Sequence, residues 1–335
     1  MFSFDFDVDD AGDVAQTASS DDKQPPTVDS TVLDEVPAQE ADLDELFAAL
    51  PARISYSPLL VRRNDGTELY IARRDLFDAR YQLMAGESDE VDAPNIQFLD
   101  APSDLVRGVY EGGLKTWECA SDLVQYISEG SLRLLPSARL WLIVAGRQLG
   151  CGTAIPSAYA LGELFSRPHE NASPRAVHVQ DYNHLVLELV ALPNLLLAWY
   201  FSPAAARVRD SLHTSSEAGE LDLDGDIVNA FRSDLAACRV DLRLYYGSWR
   251  SWQLPRTYDL VLTSETVYEP ASLSPLVSLL HASGGRRLVA AKRVYFGVGG
   301  GVREFVQEVE RAGGTAETVW ETSSGVARAI LDVRW

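Results

Sequence analysis

The sequence predicts an α/β fold: a mostly parallel sheet covered by helices on both faces and closed by an antiparallel pair at the carboxyl end. Three observations carry this. Short apolar runs at 176–180, 239–245, 258–263 and 287–291 alternate with helical stretches, the pattern of a doubly wound sheet. A glycine turn, Leu149-Gly150-Cys151-Gly152, follows an apolar strand. Two strand-like runs, 315–322 and 326–334, flank Ser323-Ser324-Gly325 with no helix between them. With 335 residues, of which 46% are hydrophobic and 23% charged, the chain can bury a core of this size.

Residues 1–48 are acidic, poor in aliphatics and broken by Pro25, Pro26 and Pro37, so they are expected to remain a disordered tail. Phe2, Phe4 and Phe6 alternate with polar residues there, which suits adding a strand to another surface as well as a plain loose terminus. A short amphipathic helix is expected at 43–50, stopped by Pro51. Residues 49–335 read as one domain whose first part, 49–110, is a small cap. Two apolar runs within 54–72 are joined there by Arg63-Asn64-Asp65-Gly66, with Asp-Gly at the reversal of a hairpin. A helix at 75–84, a polar connection at 85–103 and an amphipathic helix ending near Ile127 follow. The core proper begins with a strand at 140–145, the glycine turn and a helix over 154–165, then a strand at 176–180 and a helix over 184–197. Residues 202–225 are polar and read as a solvated insertion. Within it, Asp222-Leu223-Asp224-Gly225-Asp226 lacks the ligand register and terminal Glu of a calcium loop. A helix is expected from Val302 to Arg311.

The charge balance excludes some functions. Net charge is −20, and residues 1–50 hold 14 acids against the single Lys23. Such a chain is poorly suited to displacing counterions from nucleic acid and favours basic protein partners. Cys119, Cys151 and Cys238 are far apart and in no paired motif, so neither a disulfide framework nor a metal site is expected, and a reducing cytoplasmic or nuclear compartment fits. The start lacks a basic and apolar leader, and no apolar run reaches the roughly 20 residues that span a bilayer. A soluble monomer is the expectation.

A parallel sheet binds ligands outside the carboxyl ends of its strands, where strand order reverses. Five stretches fall at such ends: the glycine turn, Asp181-Tyr182-Asn183, Gly247-Ser248-Trp249, Ser264-Glu265-Thr266-Val267-Tyr268, and Tyr295-Phe296-Gly297. Glycines let backbone approach a ligand closely, and an acid ending the next strand accepts hydrogen bonds from two ribose hydroxyls. That pairing points to a nucleoside-containing cofactor. It is not a dinucleotide site, because Gly-Cys-Gly-Thr-Ala departs from G-x-G-x-x-G, and a P-loop is absent. The run Phe296-Gly297-Val298-Gly299-Gly300-Gly301-Val302 has three readings: a phosphate cradle, a flexible connection, or a loop that moulds around a peptide.

The glycine turn, the acid at the end of the second strand and the final hairpin resemble the Rossmann-like, seven-β-strand S-adenosyl-L-methionine-dependent methyltransferases. Tyr110-Glu111-Gly112-Gly113-Leu114-Lys115-Thr116-Trp117-Glu118-Cys119, Gln180-Asp181-Tyr182-Asn183, 262–268 and 295–302 resemble the histidine protein methyltransferase 1 group more specifically, as does the opening Phe-Ser-Phe-Asp-Phe. The resemblance implies methylation of one histidine, at its tele nitrogen, in a large-subunit ribosomal protein. It implies a cofactor site lined by Thr116, Trp117, Glu118, Cys119, Ala120, Gly150, Gly152, Asp181, Tyr182, Asn183, Gly247, Ser248, Trp249 and Ser264. Phe296, Gly297, Gly299, Gly300 and Gly301 are expected to contact the substrate. Members of the group carry an acid just before Leu-Gly-Cys-Gly. Here Arg147-Gln148 precedes Leu149, so 142–147 reads as an insertion or a mis-predicted splice junction, with Arg147 expected near the cofactor's cationic end.

Imidazole is mostly neutral at pH 7, so it needs alignment rather than a strong base. A carboxylate or phenol holding the other ring nitrogen selects the tautomer, and Glu265, Tyr268, Asn183 and Tyr295 are the candidates. Two alternatives stand beside this reading. Glu265-x-x-Tyr268 also resembles the acid-x-x-aromatic motif of related lysine methyltransferases, and the fold can serve as a non-catalytic chaperone for a ribosomal protein.

Overall fold

Five parallel strands form the centre of an eight-stranded sheet. The computed structural model describes residues 36–86, 113–130, 145–166, 174–295 and 299–335. They belong to one compact unit, Glu35–Trp335. Its strands are β1 (Gln39–Glu40), β2 (Arg53–Arg62), β3 (Glu68–Arg74), β4 (Ala145–Leu149), β5 (Arg175–Asp181), β6 (Gly219–Asp222), β7 (Val240–Tyr246), β8 (Leu260–Ser264), β9 (Arg286–Lys292), β10 (Thr315–Thr322) and β11 (Arg328–Arg334). Its helices are α1 (Leu43–Ala48), α2 (Leu76–Gly86), α3 (Glu118–Ser128), α4 (Ile155–Phe165), α5 (Leu192–Tyr200), α6 (Gly225–Ala237), α7 (Pro270–Ser283) and α8 (Val302–Arg311).

The strand order is β1-β7-β5-β4-β8-β9-β11-β10, with β10, β11 and β1 antiparallel to their neighbours. Leaving aside the two-residue β1, this is the seven-stranded methyltransferase sheet with its carboxyl-terminal hairpin. The chain leaves β4 toward β5 and β7 on one side and returns to β8 and β9 on the other, which makes the ends of β4, β5 and β8 the switch point. Residues of β5 and β8 are buried throughout, as strands covered on both faces must be. One core lies between β5, β7 and α4, α5 and α6, with Trp199 and Phe231 fully buried. A second packs α7 and α8 onto β8, β9 and β11. Pro193 lacks an amide proton, and the turn before it, Leu187–Ala191, opens into a π-helix that accommodates the loss.

The hairpin cap forms as expected, with Gly66 at φ +82° in its turn. It gains a third strand that sequence did not indicate. β6 pairs with β2, and Arg53 bonds both Glu220 and Asp222, while Asp224 caps α6 by accepting from the Ile227 amide at 2.9 Å. So the acids of 202–225 read as a solvated insertion are partly structural: they fasten the cap to the main domain.

The ordered domain also begins earlier than composition indicates. β1 pairs with β7, the Ala41 amide donates to Leu244 O at 2.8 Å, and α1 buries Leu46 and Phe47. Those two apolar side chains find a sheet-end core that a composition average over 48 residues dilutes. Residues 1–35, including the alternating phenylalanines, lie outside the described residues, as does most of the polar connection after α2. The first core strand is described from Ala145 to Leu149 and takes in Arg147 and Gln148, while residues 140–144 of the predicted strand lie outside the described residues.

Candidate functional site

The glycine turn is built by backbone that only glycine adopts readily. Gly150 and Gly152 have φ of +56° and +49°. A Cβ on Gly150 would lie 2.5 Å from Thr266 Cγ2, so the turn presses against the residue two past the end of β8. The Cys151 amide donates to Gln180 O at 2.7 Å, and the Gly152 amide donates to Asp181 Oδ2 at 2.8 Å. Asp181 Oδ1 accepts from the Asn183 amide at 3.2 Å. Two backbone donors thus fix the orientation of a buried carboxylate that has further lone pairs. Gln180 joins the next strand end: its Oε1 accepts from Trp249 Nε1 at 2.7 Å and its Nε2 donates to Gly247 O at 2.9 Å. Gly247 is obligatory for a different reason, since a Cβ there would meet Pro37 O at 2.3 Å. Opposite the turn, Gly113 lies against Gly152, and Thr116 and Thr153 share a hydroxyl hydrogen bond of 2.9 Å.

Arg147 does not face this cleft. It sits three residues before Gly150, roughly 10 Å down the strand, and β4 holds unbroken register with β5 and β8 around it, with no inserted residue in the described part. Its guanidinium is buried 3.4 Å from the centre of the Trp252 ring and donates to Tyr258 Oη at 3.1 Å. Burial lowers it to about 10, so it stays charged at neutral pH. Gln148, on the other strand face, stands where the acid was expected. Its Oε1 accepts from the Ser157 amide and hydroxyl at 3.1 and 2.8 Å, and its Nε2 donates to Cys151 O at 3.2 Å. A neutral amide therefore ties the turn to α4, and Arg147→Met should leave cofactor affinity, measured by calorimetry, within about twofold. A larger loss would return Arg147 to the site.

Beside Arg147, His178 is held by Tyr258 Oη at 2.8 Å and faces Asp241 at 3.4 Å. Burial lowers its pKa to about 4 despite Asp241, with Arg147 and Arg243 acting in the same direction as burial. The folded chain thus keeps His178 neutral where the unfolded chain protonates it. Stability should fall as pH drops from about 6.5 through about 4, by about 3 kcal/mol from this residue. Urea unfolding checks this: the stability gap between the parent and His178→Gln should shrink by that amount between pH 7.5 and 4.

At the ends of β8 and β9 lies a second group. Glu265 takes the left-handed conformation at φ +59°, rare for a side chain of this size. Its amide donates to Ala290 O, and its carboxylate is only 8% exposed. Tyr295 Oη donates to Glu265 Oε2 at 2.7 Å and accepts from the Lys292 amide at 3.2 Å. Burial, with the Glu265 carboxylate beside it, holds the Tyr295 phenol well above its ordinary pKa, so it remains a donor. Glu265 Oε1 is buried without a hydrogen-bond partner among the described residues, 3.6 Å from Lys292 Nζ. An under-satisfied buried carboxylate on strained backbone next to the glycine turn marks a site prepared for a polar group. Tyr268 stacks edge-on to Tyr295 at 6.3 Å between ring centres.

The other residues expected at the site divide. Ser264 and Ser248 lie at strand ends beside it, and Tyr182 O accepts from the Gly247 amide. Trp117 caps α3 and sits against Lys115 and Lys292, at 4.7 and 4.4 Å from ring centre to ammonium, whereas Trp249 is the indole beside Gly150. Glu118 pairs with Lys292 at 3.4 Å. Cys119 and Ala120 are buried between α3, β8 and β9, with the Cys119 thiol beside the Glu265 carboxylate. Gly299, Gly300 and Gly301 are described, and a Cβ on Gly300 would meet Tyr268 O at 2.2 Å, so backbone-on-backbone packing alone requires that glycine. Phe296 and Gly297 lie outside the described residues. Sequence reasoning passed over Gln148, Gln180, Lys292 and Asn194. The last accepts from the Arg74 amide at 2.7 Å and donates to Thr153 O at 2.8 Å, joining the cap to the glycine turn.

The residues fit an adenosine-containing methyl donor: a carboxylate fixed by two backbone amides, a glycine turn, and an indole at the adjoining strand end. No family model matches the chain. Among solved structures, a methyltransferase from Leishmania major aligns with 83% of this chain and 97% of its own at 12% identity and a TM-score of 0.37. Magnesium protoporphyrin IX methyltransferase from Synechocystis aligns with 66% and 89% at 11% identity and the same score. These overlaps are loose, and the fold rests on the strand order itself. Curated relatives are nearer. Histidine protein methyltransferase 1 of Schizosaccharomyces pombe is 32% identical over 312 residues, covering 89% of this chain and 86% of the relative. Its namesake in Saccharomyces cerevisiae is 31% identical over 70% and 67%, and the rat homolog 35% identical over 71% and 60%. The chain belongs to the histidine protein methyltransferase 1 family.

Proposed function

We propose that this protein is an S-adenosyl-L-methionine-dependent protein-histidine methyltransferase that acts on the tele nitrogen of a histidine in a large-subunit ribosomal protein, in the cytoplasm and nucleus. The observation that carries the reading is Glu265, a buried carboxylate with one oxygen unsatisfied, held on left-handed backbone beside the glycine turn. Asp181 would hold the ribose, Trp249 would cover the purine, and the backbone from Gly150 to Thr153 would line the donor. When bound, the cofactor supplies a methyl group already activated by a sulfonium. The chain's task is then to present a neutral imidazole in line and keep water out.

Glu265, backed by Tyr295, takes the hydrogen bond from the ring's other nitrogen. That leaves the tele lone pair facing the methyl group and stabilises the positive charge arriving on the ring. The proton on the other nitrogen leaves afterwards, which restores a neutral methylated ring. Tyr268 and Asn183 flank the ring. The acidic surface suits a basic ribosomal partner. Mass spectrometry of ribosomal proteins from cells with and without this protein tests the reading: one histidine should lose its methyl group when the protein is absent. An unchanged histidine set, or a lost lysine methylation, overturns it.

A further inference from the structure

We propose that Lys292 makes the site selective for a neutral imidazole over a lysine ammonium, because it occupies, from within the chain, the place beside Glu265 that a lysine substrate needs. The inference rests on the histidine reading above and concerns how the same site rejects the commoner nucleophile.

The Lys292 side chain leaves the end of β9 and is 14% exposed. Its ammonium lies 3.6 Å from Glu265 Oε1 and 3.4 Å from Glu118 Oε2. It also stands 4.4 Å from the centre of the Trp117 indole and 6.0 Å from that of Tyr295. Two carboxylates and two aromatic faces are the surroundings that hold an ammonium well. A lysine acceptor requires such surroundings twice over, first to be bound as a cation and then to lose a proton held with a pKa near 10.4. Here they are already filled. A second ammonium brought to Glu265 meets Lys292 at about 5 Å, and at an effective dielectric of about 20 that repulsion discriminates on the order of 100-fold. Lys115, 4.7 Å from the same indole, adds to it.

A neutral imidazole meets none of this. Methyl transfer to it leaves the net charge of the cleft unchanged, and the charge that reaches the ring is met by the Glu265 carboxylate. A lysine substrate arrives as an ammonium, which brings a further positive charge into the cleft and must lose a proton before its amine can accept the methyl group. Lys292 is therefore a positioning and selectivity residue that acts through Glu265, and its charge matters more than its shape.

The test uses the full chain and its Lys292→Met and Lys292→Arg variants. The probes are the ribosomal protein whose histidine methylation is lost in cells without this protein, and the same protein with lysine at that position. Two readouts are taken: transfer of labelled methyl, and calorimetric binding with S-adenosylhomocysteine present. The parent and K292R should prefer the histidine form by about 100-fold or more, and K292M should lose at least about tenfold of that preference in both readouts. A folded K292M with unchanged preference overturns the proposal. A parent that labels no histidine in any ribosomal protein overturns the functional reading instead. If K292M does not fold, the parent alone decides: it should bind the target protein with norleucine at that position at least about tenfold more tightly than with lysine, and equal binding overturns the proposal.

Discussion

Asp181→Asn is expected to weaken S-adenosyl-L-methionine binding on the order of 100-fold. The carboxylate accepts from the Gly152 amide on one oxygen and from the Asn183 amide on the other, and a carboxylate's two oxygens offer about four acceptor positions, enough for the proposed ribose contacts as well. An asparagine keeps one acceptor and replaces the other with a donor. Either the new NH₂ faces the Gly152 amide, donor against donor, and loosens the glycine turn, or it faces the Asn183 amide and the adjoining hydroxyl. Both placements also remove the charge that makes these hydrogen bonds strong. Calorimetry with the purified chain measures the effect, and affinity within about threefold of the parent would contradict the role given to Asp181.

Glu265→Gln should act at the other step. Turnover is expected to fall by about 100- to 1,000-fold, the usual size of a lost transition-state hydrogen bond to a charged group. The cofactor's dissociation constant should change by less than about threefold, since Glu265 lies past the end of β8 and the proposed ribose contact, Asp181, is at the end of β5. The amide retains the shape of Glu265 and its acceptor toward Tyr295 Oη, at 2.7 Å in the parent. It loses the charge that stabilises a positive ring and that partners Lys292. Single-turnover rates with saturating cofactor separate the two quantities. A variant that turns over normally leaves Glu265 with a packing role only.

The sheet could be read from the sequence because buried parallel strands leave short apolar runs that need no periodicity. Every residue of β5 and β8 is buried, and both were located within one or two residues. The helix Val302–Arg311 was legible to the residue, as a glycine run precedes it and its apolar positions share one face. Arg147 and Gln148 of β4 look unlike core residues, and residues 140–144 of the expected strand lie outside the described residues. Their partners, Trp252 and Tyr258 for one and Ser157 for the other, come from distant parts of the chain.

The site divided along the same line. Residues at strand ends, such as Asp181 and Glu265, announce themselves through neighbouring motifs. Lys292 does not, since a lysine closing a strand reads as solvated until α3 brings Glu118 and Trp117 over it.

The central claim is tested most directly by incubating the purified chain with methyl-labelled S-adenosyl-L-methionine and ribosomal protein from cells that lack it, then hydrolysing the product to amino acids. The label should appear in tele-methylhistidine. Label in methyllysine, in the other methylhistidine isomer, or in no amino acid at all would contradict the account.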